Sequence, residues 1–123
     1  MRDKEYKAPH ANLIDIYTTL KYTDKQIGDL IKKHNVPADY YYYYTGLAYY
    51  DKKNYDKSLE YYNKAYACLQ ELNKAIYKIH NSTGIVYDDK RVNAKAIEFY
   101  GKAIAANPKY HSAYYNTGIV YKR

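Results

Sequence analysis

A single cysteine, Cys68, stands in 123 residues, which excludes an internal disulfide and a cysteine-paired zinc site. It suits a reducing compartment, so a cytoplasmic location is expected. On its helix the thiol is expected to be packed rather than reactive. No apolar run approaches the ~18 residues of a membrane span, and Met1-Arg-Asp-Lys-Glu-Tyr-Lys7 lacks the apolar core of a signal peptide. No membrane contact is expected. Neither a glycine-rich phosphate loop nor a Gly-x-Ser-x-Gly elbow occurs. The histidines, His10, His34, His80 and His111, are scattered and share no i, i+4 spacing. The adjacent carboxylates Asp88-Asp89 read as a solvated helix end rather than a metal site. The expectation is a protein without enzymatic activity, cofactor or metal. Strand-like alternation bounded by turns is also missing, so no sheet is expected.

What the chain has instead is tyrosine, 21 of them, and three glycines each followed three residues later by one: Gly46 with Tyr49, Gly84 with Tyr87, Gly118 with Tyr121. The surrounding segments Tyr43-Tyr-Thr-Gly-Leu-Ala-Tyr49, Asn81-Ser-Thr-Gly-Ile-Val-Tyr87 and Tyr115-Asn-Thr-Gly-Ile-Val-Tyr121 are variants of one pattern. The glycine spacings are 84 − 46 = 38 and 118 − 84 = 34, a period that marks stacked helical repeats. Downstream, Tyr55-Asp-Lys-Ser-Leu-Glu-Tyr-Tyr-Asn-Lys-Ala65 is echoed by Asn93-Ala-Lys-Ala-Ile-Glu-Phe-Tyr-Gly-Lys-Ala103. Helix-interior glycine costs about 1 kcal/mol relative to alanine, so one phase kept in three helices argues for close packing. Gly46 is expected to face Ala65, and Gly84 to face Ala103.

These units resemble the tetratricopeptide repeat (TPR) family. Carried over by position, Tyr42, Thr45, Gly46, Tyr49, Ser58, Tyr62 and Ala65 form one repeat. His80, Thr83, Gly84, Tyr87, Ala96, Tyr100, Ala103 and Pro108 form the next, and Tyr114, Thr117, Gly118 and Tyr121 begin a third. Thr stands where the family pattern has Leu in all three, and Gln70 stands at a Pro position. The resemblance implies an all-α, right-handed superhelical solenoid: one domain over 1–123, with about three helical hairpins plus a terminal helix.

Seven helices are expected, near 11–21, 24–34, 39–52, 55–72, 75–88, 93–106 and 108–121. Residues 11–36 read as a degenerate repeat, with a non-repeat capping hairpin as the alternative; 39–72 and 75–108 are full repeats. Thr23 followed by Gln26 is a capping-box pattern. Asn107-Pro108 is expected to cap the last helix. In that helix Tyr114, Thr117 and Tyr121 lack the partner helix their equivalents have. The chain is then a piece of a longer array, or the helix is a cap made tolerable by Thr117 and Lys122, or the face pairs with another chain.

The resemblance also implies a concave groove for a protein or peptide. Its first part is Tyr40, Tyr43, Leu47, Tyr50 and Asp51, from a run of five tyrosines that cannot all face inward on one helix; Tyr42 is expected in the core. The middle is Lys78, Asn81, Ile85, Asp88 and Asp89, where a basic ligand group is expected against the acidic pair. The last part is Ser112, Tyr115, Ile119 and Lys122. One TPR subclass grips acidic tails of heat-shock chaperones with a two-carboxylate clamp. Its places here hold Tyr43, Leu47, Ser82, Ser112 and Asn116, which does not fit that role.

The function expected is therefore an adaptor that docks a peptide or helix. Net charge is +7, with +2 in residues 1–76 and +5 in 77–123. That basic half, including Lys90, Arg91, Lys95, Lys102 and Lys109, supports a nucleic-acid alternative in which basic groups track phosphates and tyrosines stack bases. A self-assembling module using residues 108–121 is the other alternative.

Overall fold

The computed structural model describes Thr23, Lys25, Gln26, Asp29, Lys32 and Lys33, then 37–69 and 76–123. Five helices are described from end to end: α1 (Ala38–Asp51), α2 (Tyr55–Leu69), α3 (Ile76–Asp89), α4 (Asn93–Ala106) and α5 (His111–Tyr121); Lys25, Gln26, Asp29, Lys32 and Lys33 are also helical. Seven were expected. The one at 11–21 lies outside the described residues, as does most of 24–34, and no strand occurs among the described residues. The capping box does form. The Thr23 amide donates to Gln26 Oε1 at 2.7 Å, and the Gln26 amide donates to Thr23 Oγ1 at 3.2 Å.

Two compact units divide the chain, Met1–Ala65 and Tyr66–Arg123. In the first, α1 turns back through Lys52–Asn54 onto α2. The turn closes with bonds from the Asn54 amide to Tyr49 O (2.9 Å) and the Lys53 amide to Tyr50 O (2.8 Å). Lys53 takes the left-handed conformation at φ 61°, a place usually given to glycine. The Asn54 side chain then caps α2 by accepting from the Lys57 amide at 3.3 Å. In the second unit the α3–α4 turn repeats the first, 38 residues on. Arg91 sits at φ 64°, and the Val92 amide bonds Tyr87 O at 2.9 Å.

Side chains recur at the same offset. Tyr49 stacks on Tyr61 with centroids 5.7 Å apart, and Tyr87 stacks on Phe99 at 5.6 Å, both at an interplanar angle of 16°. Lys64 Nζ lies 4.8 Å from the Tyr61 centroid, and Lys102 Nζ lies 4.6 Å from that of Phe99. Each lysine also pairs with a glutamate one turn earlier, Lys64 with Glu60 and Lys102 with Glu98, at 3.5 Å in both. Each hairpin therefore carries one aromatic stack closed on its outer side by an ion-paired lysine.

The close approach at the glycines differs from expectation. A Cβ at Gly46 would lie 2.6 Å from Cδ1 and Cε1 of Tyr62, and one at Gly84 would lie 2.6 Å from the same atoms of Tyr100. The glycine thus makes room for a tyrosine ring, not for the facing alanine. Ala65 and Ala103 are fully buried, but a ring reaches across the helix contact and a methyl does not. Ser58 adds a bond from its hydroxyl to Gly46 O at 2.8 Å.

Three further expectations need correction. The most buried ring of the tyrosine run is Tyr41, at 4% exposure, where it meets Tyr61 edge-on; Tyr42 is half-buried beside it. Helix α5 begins at His111, not 108. Asn107 is extended, and its side chain accepts from the Lys109 amide at 3.1 Å while its carbonyl accepts from the Tyr110 amide at 3.0 Å. Asn107-Pro108 therefore builds a turn before the helix. Cys68 is exposed on α2 rather than packed.

Candidate protein interaction surface

In the first unit the residues expected to face a ligand lie on α1. Tyr40, Tyr43, Leu47 and Tyr50 are half-buried, and Asp51 is exposed. The rings are engaged with their own hairpin. Tyr40 lies 4.5 Å from Tyr44, Tyr43 lies 5.7 Å from Tyr62, and Tyr50 lies 6.0 Å from Tyr55. Tyr43 thus touches the ring that covers Gly46, so it supports the core as well as offering surface.

In the second unit the expected residues sit on α3 and α5. Two of them form bonds that the sequence reading missed. Asn81 is buried, and its Oδ1 accepts from Asn116 Nδ2 at 3.1 Å. Asp88 is buried and takes a hydrogen bond and ion pair from Arg123. That bond, ahead of the coulombic pull of Asp88 and against partial burial, raises the guanidinium pKa above its ordinary value. Both pairs span 35 residues, one more than the repeat length, so the period itself held the signal. The cation expected from a ligand at Asp88 is supplied by the chain's own Arg123; Asp89 remains exposed.

Around these polar ties, Ile85 is half-buried against the Ala96–Tyr100–Val120 cluster. Ile119 is half-buried, Lys78, Ser112 and Lys122 are exposed, and Tyr115 is 72% exposed. The candidate strip thus holds half-buried Ile85 on α3 and, one turn apart on α5, half-buried Ile119 and the exposed Tyr115 ring, with α3 and α5 tied by the Asn81–Asn116 and Asp88–Arg123 bonds. Among the described residues no three His, Cys, Asp or Glu side chains converge as metal ligands. None of the described helices is long and apolar enough to cross a membrane.

No protein-family model matches the chain, and no curated protein matches it in sequence. Solved structures do match. The crystal structure of MamA aligns with a TM-score of 0.65 at 26% identity, covering 98% of this chain and 72% of that one. The fold is a TPR-like helical repeat.

Within that TPR-like fold His80 occupies the place of Tyr42 in the preceding repeat. It is buried, with the Tyr66 ring 5.2 Å away on α2 and the Phe99 ring 6.0 Å away on α4. Burial first, then the positive charge of Lys102, holds its pKa below the ordinary 6.5. The folded chain therefore binds the His80 proton less readily than the unfolded chain does. Stability from this site is full above about pH 6.5 and is lost as pH falls towards the depressed folded value. Urea midpoints measured at neutral and mildly acidic pH are expected to fall more in wild type than in His80→Tyr. An equal fall in both proteins would show that His80 is not the group responsible.

Proposed function

We propose that this chain is a protein-interaction scaffold that holds a peptide or helix against α3 and α5 of its second unit. The observation that carries this reading is Tyr115, 72% exposed and one helical turn from half-buried Ile119 on α5, on a fold like that of MamA. An exposed aromatic ring with an apolar residue one turn away has the properties of an interface anchor, since tyrosines there can supply about 2 kcal/mol or more of binding energy. The strip is preorganised by the Asn81–Asn116 and Asp88–Arg123 pairs, which lowers the ordering cost of binding. The preferred ligand offers apolar anchors and no cationic group for Asp88, whose partner is already present.

The basic charge of residues 77–123 gives less support to nucleic-acid binding. Lys95 and Lys102 both pair with Glu98, at 3.8 and 3.5 Å, and Lys102 lies over Phe99.

Selection of a displayed peptide library on the immobilised chain tests the proposal. Selected peptides are expected to carry spaced apolar residues and to lose tenfold or more in affinity, about 1.4 kcal/mol, on Tyr115→Ala with Ile119→Ala. Added salt should change that affinity little. Peptides that bind the double variant unchanged would remove the α3–α5 strip as the site. Tight single-stranded RNA binding that falls steeply with salt and disappears on replacing Lys90, Arg91 and Lys95 would replace the proposal with the nucleic-acid reading.

A further inference from the structure

The Asp88–Arg123 pair closes one end of the strip between α3 and α5. On α3, Asn81, Ile85 and Asp88 follow one another at spacings of four and three; on α5 and just past it, Asn116, Ile119 and Arg123 follow at three and four. Residues three or four apart share a helix face. Arg123 keeps to that face, since its amide continues the helical bonding by donating to Val120 O at 3.2 Å. The strip therefore runs from the Asn81–Asn116 bond, past Ile85 and Ile119, to the Asp88–Arg123 ion pair.

The two charges of that pair are unequally placed. The Asp88 side chain is 12% exposed and that of Arg123 33%, so the outward member is the cation. A buried carboxylate needs a partner, and here the chain itself supplies one. Around the pair, segments 88–91 and 122–123 together hold four basic residues and two acidic ones. Asp89, Lys90, Arg91 and Lys122 are exposed. A ligand cation arriving at this end meets Arg123 before it meets Asp88, and must displace it to reach the carboxylate.

We propose that Arg123 sets the charge specificity of this strip. It rejects peptides with a lysine or arginine at the position that reaches Asp88, and admits apolar or acidic residues there. This specificity rests on the strip being the peptide site, as proposed above, and adds which peptides that site takes. Repulsion of this kind is a common means by which a binding surface separates partners of similar shape. It also conceals the opposite preference. Without Arg123, Asp88 is a buried carboxylate with its charge uncompensated, and a ligand cation takes the place that the guanidinium has left.

The test uses a display-selected peptide remade with lysine and with norleucine at each position in turn, its affinity for the full chain read by fluorescence polarisation. For wild type, one position is expected where lysine binds about tenfold more weakly than norleucine, the result of setting like charges together. Arg123→Gln should reverse the preference at that position. Asp88→Asn, which leaves the guanidinium without its carboxylate, should widen the wild-type penalty. Asp88→Asn with Arg123→Gln should bind both peptides alike. The two single changes move the ratio in opposite directions, a pattern that a general loss of stability cannot imitate. A ratio that stays at its wild-type value at every position, in either single variant that folds, would overturn the proposal while Tyr115→Ala with Ile119→Ala still abolishes binding. Peptides indifferent to that double change bind elsewhere, and would remove the strip and its charge specificity together.

Discussion

Gly84→Leu is expected to destabilise the second unit by ~3 kcal/mol or more, and Gly84→Ala by about 1–2 kcal/mol. Even the first added carbon sits 2.6 Å from Cδ1 and Cε1 of Tyr100 and 3.2 Å from Cζ. A contact that short is relieved only by moving the ring. The ring is fully buried in a cluster with Ala96 and Val120, so α4 must move with it. Alanine recovers about 1 kcal/mol of helix propensity, which is why its net cost is smaller than leucine's. Gly118→Ala provides the matched control. It has the same motif position and the same propensity gain but no neighbour within 4 Å, so this variant is expected to gain up to about 1 kcal/mol. Urea unfolding of the three variants beside wild type checks the pair of signs. Equal responses at positions 84 and 118 would mean that Tyr100 does not confine Gly84.

The difference between these two glycines marks what the sequence could and could not disclose. The period was legible because Thr-Gly-x-x-Tyr recurs three times, and it located four of the described helix starts to within one residue. The Thr23–Gln26 cap was legible from its own four-residue capping-box pattern, since its two bonds need only local geometry. Contacts across the hairpin were harder to read. Tyr62 and Ala65 stand three residues apart on one helix face, and which of them meets Gly46 depends on how the helices cross. The run Tyr40–Tyr44 offers no polar residue to set its phase, so the buried ring was placed one position late, at Tyr42 instead of Tyr41. Asn107-Pro108 satisfies both a helix-start and a turn pattern, and the extended backbone of Asn107 decides for the turn. On the candidate surface, the register of the resembled family put Tyr115 and Ile119 on the groove side of the last helix; Tyr115 is 72% exposed and Ile119 half-buried. The pairing of Asp88 with Arg123 was missed because it follows the repeat length plus one, an offset that favours neighbouring first helices over positions in identical register.

In the first unit the largest effect is expected from Tyr62→Ala. Tyr62 is 1% exposed, lies on Gly46, and holds the Tyr43 ring at 5.7 Å. Truncating a buried aromatic costs about 3–5 kcal/mol, through lost burial and the cavity left behind. Here the cavity opens over a glycine, which has no side chain to collapse into it. That predicts a non-additive rescue. Gly46→Leu alone drives its Cβ into the ring and is expected to destabilise, but in the Tyr62→Ala background the leucine enters the volume the ring has left. The double variant should therefore be more stable than the sum of the two single losses implies, by ~1 kcal/mol or more, the scale of coupling between residues in contact. Urea unfolding of the four proteins, followed by circular dichroism, measures the cycle. Strict additivity would mean that Gly46 and Tyr62 do not share one space; a positive coupling would fix the ring-on-glycine contact as the element that both hairpins repeat.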